Sequence, residues 1–161
     1  LYAEQLSANK AMLNSVKAFS SSGKAVYAEC GGFMYLTEGI YDFDDALYPM
    51  TGVFPFKTRM LKGRARLGYR EAELKGDSIF GAKGTKVRGH EFHYSEILKS
   101  DQEVELLYSV KDGEGNYIYD EGCMIKNTLG SYIHIHFGSN REIAKNFIGF
   151  IKTDKKQFQI S

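Results

Sequence analysis

The predicted fold depends on one segment of the sequence, Lys24-Ala25-Val26-Tyr27-Ala28-Glu29-Cys30-Gly31-Gly32-Phe33-Met34-Tyr35-Leu36. The apolar residues before Glu29 predict a buried strand, and those after Gly32 predict the start of an apolar helix. A sharp turn from strand to helix needs small residues two positions before and after its tip, and Ala28 and Gly32 meet that need. The segment therefore predicts that Cys30 is a nucleophile at the tip of the turn, where the helix dipole favours the thiolate.

The same cysteine has a plainer interpretation. A single Cys at the end of an apolar strand is often only a small buried side chain. The local pattern by itself leaves both interpretations open.

The composition is that of one globular domain without a strong charge. The chain has 161 residues, of which 43% are hydrophobic and 25% charged, and its net charge of +1 gives no reason to expect nucleic acid as a partner. No apolar run is long enough to cross a membrane, and the first residues do not resemble a signal peptide. We therefore expect a cytoplasmic protein that binds no membrane, with Cys30 and Cys123 as free thiols.

Hydrophobic spacing predicts two helices outside the central segment. The first runs from Leu6 to Phe19 and is capped by Gly23. The second follows a capping box formed by Ser139 and Glu142, and its apolar face consists of Ile143, Phe147, Ile148 and Ile151. The helix that follows Cys30 is expected to end near residue 38.

The rest of the chain predicts strands and turns. A loop or helical turn is expected at 41–48, and the strand at 51–60 should be an edge strand or a bulged one because of Pro55. Further strands are predicted at 67–74, 86–97, 104–110, 117–119, 123–126 and 131–137. Together these elements predict an α/β fold with an antiparallel insertion between residues of about 50 and 120.

A cysteine nucleophile needs a base to take its proton, and the sequence offers His134. On a strand, His134 and His136 point to the same face, so His136 is a predicted supporting residue. The same period places Glu91 and His93 on one face of strand 86–97. A structural role in the core stays open for both His134 and His136.

Three segments resemble the cobyrinic acid a,c-diamide synthases, which are ATP-dependent glutamine amidotransferases of corrinoid biosynthesis. They are residues 27–36, Gly89-His90-Glu91-Phe92-His93-Tyr94-Ser95 and Ser131-Tyr132-Ile133-His134-Ile135-His136-Phe137. The resemblance implies a class I glutamine amidotransferase fold, with a flavodoxin-like core sheet, helices on both faces and an antiparallel β insertion. It also implies that residues 1–161 are an N-terminally truncated glutaminase domain of a longer synthase, whose N-terminal ATP-binding synthetase domain is absent from this chain.

The resemblance implies roles for individual residues. Cys30 is the nucleophile and His134 the base, and His136 occupies the position at which other class I domains carry an orienting Glu. The acid must then come from elsewhere, and Glu91 is the predicted candidate, with a charge-paired structural role as its alternative. The predicted substrate-binding residues are Gly31, whose backbone N–H stabilises the oxyanion, and Gly32, Arg70, His93, Ser131 and Tyr132, with Arg70 binding the α-carboxylate of glutamine.

The resemblance also implies the partners. Glutamine is the substrate of this domain, cobyrinic acid binds through the synthetase domain, and a homodimer is left open. ATP and Mg²⁺ are expected in the synthetase domain and no cofactor here, since no Gly-rich phosphate loop is found. Zinc on His90, His93, His134 and His136 is disfavoured because His90 and His93 point to opposite faces of a strand.

Two other functions are kept as alternatives. One is a sibling amidotransferase that acts on another tetrapyrrole acid, such as a nickel sirohydrochlorin. The other is a catalytically silent docking module of the same fold.

Overall fold

A computed structural model of the chain describes residues 2–63 and 66–157, without the side chains of 154–157. Its helices are α1 Ala3–Ala8, α2 Lys10–Ser21, α3 Gly31–Tyr35 and α4 Arg141–Gln157, with a short 3-10 helix at Phe137–Ser139. Its strands are β1 Val26–Glu29, β2 Thr37–Tyr41, β3 Leu47–Pro49, β4 Phe54–Met60, β5 Arg66–Leu74, β6 Lys86–His93, β7 Ser95–Ile97, β8 Glu105–Lys111, β9 Tyr117–Ile125, β10 Thr128–Ser131 and β11 Ile133–Ile135. None of the helices described is both long and apolar enough to span a membrane.

The strands form two sheets flanked by helices, which confirms the predicted α/β class. The larger sheet has the order β1-β10-β9-β8-β5-β6-β11, and the smaller has the order β3-β2-β4-β7. In the larger sheet β1 pairs with β10 in parallel, whereas β5, β6, β8 and β9 pair antiparallel, as predicted for the insertion.

The two end strands of the larger sheet meet. Although β1 and β11 stand at opposite ends of the strand order, the backbone N–H of Ile135 donates to Oε1 of Glu29 over 2.8 Å. The contact arises because the extended segment is interrupted at Tyr132: β10, before it, pairs with β1, and β11, after it, pairs with β6. The single strand predicted at 131–137 is therefore two strands that serve the two ends of one sheet.

Local hydrogen bonds shorten two of the predicted helices. The first helix breaks at Asn9, whose side chain accepts a hydrogen bond from the Met12 backbone N–H at 3.1 Å and caps α2. The helix after Cys30 ends at Tyr35 and not near residue 38. Thr37 ends it, because its buried hydroxyl donates to the Met34 carbonyl oxygen at 2.7 Å and its backbone begins β2.

Pro55 lies in a bulged strand inside the smaller sheet. β4 sits between β2 and β7, and the β2–β4 register shifts from Thr37 opposite Phe54 to Gly39 opposite Lys57. The irregular pairing tolerates the missing N–H of Pro55. Of the two predicted forms, the bulge is the correct one.

The start of α4 differs from the predicted capping box. Oδ1 of Asn140 accepts from the Glu142 backbone N–H at 3.1 Å, whereas the Ser139 hydroxyl oxygen accepts from the Arg88 backbone N–H at 3.0 Å. Ile143 is completely buried, but Ile148 is 51% exposed and does not belong to the packed face. The face of α4 that packs on the sheet instead includes Phe150 beside Ile143 and Phe147.

Candidate active site

Cys30 occupies a strained turn between β1 and α3. Its φ is 48° and its ψ is −110°, a backbone conformation that side chains rarely adopt, and its N–H donates to the Ser131 carbonyl oxygen at 2.8 Å. A Cβ atom added at Gly32 would lie 3.6 Å from Cβ of Ala28, in ordinary van der Waals contact, so these two positions are direct neighbours. The structure thus forms the predicted turn, with small residues facing each other beneath its tip.

The Cys30 sulfur is half-buried and favours its protonated form. Burial raises the pKa of the thiol, the Gly31 backbone N–H acts in the opposite direction, and the neighbouring Glu29 carboxylate raises it further. The contribution of the Gly31 N–H thus has the direction expected of the helix start, but burial outweighs it. α3 has only five residues, and its N-terminus does not outweigh the loss of solvent around the sulfur. A base must remove this proton.

His134 lies next to the cysteine turn, on β11. Its Nδ1 is 3.3 Å from Oε2 of Glu29, the residue directly before Cys30, and its ring stacks on His90 with ring centroids 4.9 Å apart. The sulfur of Cys30 itself contacts the carbonyl oxygen of Phe92 at 3.8 Å, and not the imidazole. Contacts between a nucleophile and its base often tighten only when substrate binds.

Glu29, which directly precedes Cys30 and contacts His134, was not among the residues predicted from the sequence. Its Oε1 accepts hydrogen bonds from the Tyr27 hydroxyl at 2.5 Å and from the Ile135 backbone N–H at 2.8 Å, while Oε2 faces His134. A carboxylate inside an otherwise apolar strand was the available signal. The fold turns that carboxylate towards the other end strand of the sheet.

Glu91 belongs to a different, buried network. Its carboxylate accepts from Nε of Arg70 at 2.9 Å and from the Tyr119 hydroxyl, and it contacts Nε2 of His93 at 2.8 Å. Burial opposes its ionisation, but the hydrogen bonds from His93, Tyr119 and Arg70 prevail and lower the Glu91 pKa to about 2. Glu91 pairs in register with Ile133, so its side chain lies on the opposite face from His134.

The predicted contact between Glu91 and His134 is therefore corrected. The carboxylate beside His134 is that of Glu29, and Glu91 has the charge-paired environment that the sequence analysis kept as an alternative. Arg70 is also engaged: only 14% of its side chain is exposed, and it donates to Glu91 and to the Tyr69 carbonyl oxygen. The guanidinium that was expected to bind the glutamine α-carboxylate therefore already has partners at Nε and Nη1.

The remaining predicted residues lie in two places. His93 is buried, with Nδ1 at 2.9 Å from the Ser95 carbonyl oxygen, and its ring stacks on Tyr132 at a centroid distance of 3.8 Å. The Ser131 hydroxyl and the Tyr132 backbone N–H donate to one carboxylate, that of Glu121, at 2.6 and 2.7 Å. His136 is exposed and directly precedes the 3-10 helix.

A cavity of about 770 Å³ opens on the Glu91 side of the sheet. Among the residues that line it are Glu91, His93, Tyr119, Glu121 and Tyr132. Gly31 and Gly32 lie outside this lining, exposed at the start of α3. Within residues 2–63 and 66–157, no group of three or more His, Cys, Asp or Glu side chains is arranged to hold a metal ion.

Comparison with known protein families identifies the family of this domain. Residues 1–142 match the family model of the CobB/CobQ-like glutamine amidotransferase domain. The chain belongs to this family. This match confirms the resemblance found in the sequence. It also confirms the expectation that the turn at Cys30 is part of a glutamine amidotransferase domain.

Curated relatives carry the name cobyrinate a,c-diamide synthase. The protein of Dehalococcoides mccartyi strain CBDB1 is 41% identical over 155 residues, which cover 94% of this chain and 33% of the relative. That of Streptococcus sanguinis strain SK36 is 40% identical over 152 residues, with the same coverage. The chain thus spans about a third of the length of these relatives.

Solved structures support the fold. A Thermoplasma acidophilum protein described as part of a GMP synthase superposes with a TM-score of 0.56 at 17% identity, over 91% of this chain and 67% of the other. A second structure, described as a glutamine amidotransferase, gives a TM-score of 0.55 at 17% identity, over 87% of this chain and 68% of the other.

Proposed function

We propose that this chain hydrolyses glutamine and supplies the ammonia for amidation of the a and c carboxylates of cobyrinic acid in cobalamin biosynthesis. Membership of the glutamine amidotransferase family and the names of the relatives support the proposal. The single observation that carries it is geometric. One turn holds Cys30 at its tip and Glu29 directly before it, and Glu29 contacts His134.

The first half of the reaction forms a thioester. Nε2 of His134 removes the thiol proton of Cys30, and the sulfur attacks the carboxamide carbon of glutamine. The Gly31 backbone N–H stabilises the oxyanion of the tetrahedral intermediate. The C–N bond then breaks, His134 returns the proton to the leaving nitrogen, and ammonia departs from a glutamyl thioester on Cys30.

The second half releases glutamate. His134 removes a proton from a water molecule, which attacks the thioester carbon, and the C–S bond breaks. The proton returns to the Cys30 sulfur, so the site regains its starting state. The first half requires the imidazole because burial raises the pKa of the Cys30 thiol. The second half requires it because the attacking water molecule must lose a proton.

Glu29 orients His134 in this proposal. Its carboxylate faces Nδ1 and favours a proton there, which leaves Nε2 as the nitrogen that accepts a proton from Cys30. The Ile135 backbone N–H and the Tyr27 hydroxyl hold the carboxylate in place. His136, which is exposed, has no assigned step in this proposal.

The amide-forming reaction is assigned to sequence outside this chain. Relatives are about three times as long, and we infer that ATP, Mg²⁺ and cobyrinic acid bind to a synthetase domain, N-terminal to the glutaminase domain, that receives the ammonia. An ATP-dependent ligase with free thiols at Cys30 and Cys123 fits a cytoplasmic location.

Glutamine turnover and covalent labelling test the proposal. We expect the protein to release glutamate and ammonia from glutamine, and a diazoketone analogue of glutamine to add its mass to Cys30. The Cys30→Ser variant should lose both signals, whereas Cys123→Ala, which removes a buried thiol that has no part in the proposed mechanism, should keep them. Equal, measurable rates for the wild type and Cys30→Ser would refute the catalytic role of Cys30, whereas a wild type without turnover would favour a silent docking module.

A further inference from the structure

Glu121 is a buried carboxylate that the proposed chemistry does not use. It lies on β9 and is 8% exposed, and each of its oxygens accepts one hydrogen bond. Oε2 accepts from the Ser131 hydroxyl at 2.6 Å, and Oε1 accepts from the Tyr132 backbone N–H at 2.7 Å. A buried carboxylate is costly to keep, so these contacts need an explanation.

The two residues that Glu121 holds form the break between β10 and β11. Ser131 ends β10 and Tyr132 separates it from β11, so the chain leaves one end of the larger sheet here and joins the other. The Ser131 hydroxyl oxygen also accepts from the Ile133 backbone N–H at 2.9 Å. Glu121 therefore accepts hydrogen bonds from both residues at the break between β10 and β11.

The same break supports the nucleophile. The Ser131 carbonyl oxygen accepts a hydrogen bond from the Cys30 backbone N–H at 2.8 Å. The backbone of Ser131 thus fixes the tip of the turn, while its side chain is hydrogen-bonded to Glu121. A shift of this break would move both Cys30 and His134, which follows Tyr132 by two residues. Catalytic groups lose much of their effect when misplaced by about 1 Å.

The backbone around Glu121 is itself closely fitted. Gly122 has a φ of 78°, and a Cβ atom there would lie 2.6 Å from the ring of Tyr108. Only glycine permits this path of the chain. The Glu121 side chain is thus directed towards the break by a strand that has little freedom to adjust.

We propose that Glu121 is a positioning residue for the Cys30 nucleophile, which it holds through the Ser131–Tyr132 break. The inference rests on the proposed function for its kinetic meaning. Its structural content, the placement of Cys30, can be measured without any turnover.

Either protonation state of Glu121 can hold the break. Burial raises its pKa to about 7, against the effect of the Ser131 and Tyr132 hydrogen bonds, and the charge of Glu91 on β6 acts in the same direction as burial. The charge of Glu121 in turn raises the pKa of Tyr27 on β1, Tyr108 on β8, Cys123 and Tyr132. A protonated Glu121 can donate to the Ser131 hydroxyl and still accept from the Tyr132 N–H.

This property yields a specific pair of variants. Glutamine at position 121 imitates the protonated acid, because its amide can donate to Ser131 and its oxygen can accept from Tyr132. We expect Glu121→Gln to behave like the wild type. We expect Glu121→Ala to lower kcat for glutamine roughly 10- to 100-fold with a smaller change in KM. Glu105→Gln, an exposed carboxylate on the neighbouring strand β8, is the matched control.

Alkylation of Cys30 by iodoacetamide, mapped by mass spectrometry, provides the readout that does not depend on turnover. We expect faster alkylation in Glu121→Ala, because the loosened turn exposes the sulfur, and a wild-type rate in Glu121→Gln and Glu105→Gln. If Glu121→Ala does not fold, Ser131→Ala takes its place. It removes the hydrogen bond between the Ser131 hydroxyl and Glu121 and should also make the alkylation of Cys30 faster.

The outcomes separate the two proposals. A wild-type protein without glutaminase activity would refute the proposed function, and the alkylation rates would still test the role of Glu121. Folded Glu121→Ala, or Ser131→Ala in its place, with an unchanged alkylation rate would overturn the inference. It would also be overturned if Glu121→Gln proved as impaired as Glu121→Ala, because charge and not hydrogen bonding would then be what matters.

Discussion

Oε2 of Glu29 lies 3.3 Å from Nδ1 of His134, across the line where the two end strands of the larger sheet meet. Glu29 is also the residue before Cys30, so one strand supplies both the nucleophile and the acid that faces the base. In this arrangement, a displacement of β1 relative to β11 would disturb the acid and the nucleophile together.

We predict that Glu29→Gln lowers kcat for glutamine hydrolysis roughly 100-fold or more and changes KM little. An amide at this position no longer favours the proton on Nδ1, and loss of the correct imidazole tautomer has large effects in comparable sites. Steady-state kinetics of glutamate release measure the effect. Glu38→Gln, which alters an exposed ion pair with Lys57, serves as the control. An unchanged kcat in Glu29→Gln would remove Glu29 from the mechanism.

Glu91 should govern stability at acid pH. Its pKa of about 2 in the folded protein lies below the value of about 4.3 expected when unfolded, so the unfolded state binds more protons between these values. The contribution is fully present above pH 4.5 and is lost as the pH falls towards 2. At neutral pH it amounts to about 3 kcal/mol of the free energy of unfolding, an order-of-magnitude figure.

We therefore predict that Glu91→Gln lowers the free energy of unfolding at pH 7 and flattens its dependence on pH between 5 and 3. Urea titrations at several pH values measure both quantities. Because Glu91 does not contact His134, glutaminase activity at a temperature where the variant is folded should change far less than in Glu29→Gln. A loss of activity as large as that in Glu29→Gln would contradict this assignment.

Gly89 should be irreplaceable for packing reasons. A Cβ atom there would press into the backbone carbonyl oxygen of His134, since β6 and β11 approach closely at this point. We predict that Gly89→Ala displaces β11 and lowers both thermal stability and glutaminase activity. Gly113→Ala, in a turn where a Cβ atom meets nothing within 4 Å, is the control. Melting curves that coincide for Gly89→Ala and Gly113→Ala would show that β11 has more freedom than described.

The backbone at position 30 stores strain that glycine should relieve. With a φ of 48° and a ψ of −110°, the residue lies where a Cβ atom is unfavourable by about 1–3 kcal/mol. We predict that Cys30→Gly has a higher free energy of unfolding than Cys30→Ala by about 1 kcal/mol, within that range. Chemical denaturation of the two inactive variants measures the difference. A lower stability of Cys30→Gly would indicate that the turn relaxes in solution.

Local sequence patterns predicted the positions of Cys30 and His134 correctly, but not which carboxylate contacts His134. The turn at Cys30 is recognisable because strand, small residues and helix are consecutive in the sequence, and the strand position of His134 follows from the alternation around it. The choice of Glu91 as the acid failed because it depended on how distant strands pair. In the structure, the register of β6 against β11 places Glu91 opposite Ile133.

The break in the strand at 131–137 and the contact of Glu29 with β11 were not predicted, because both depend on contacts between residues far apart in the sequence. The apolar alternation at 131–137 is uninterrupted in the sequence, and the break at Tyr132 becomes visible only once Glu121 and Ser131 are seen to hold it. Similarly, nothing in the sequence near Glu29 indicates that the Ile135 backbone N–H will reach its carboxylate.

The contact of the Glu29 side chain with β11 has a consequence for synthesis. β11 is made long after β1, so a growing chain on the ribosome contains the thiol well before it contains the imidazole. Under the proposed function, an unfinished chain cannot consume glutamine, and hydrolysis begins only when the final strand has docked.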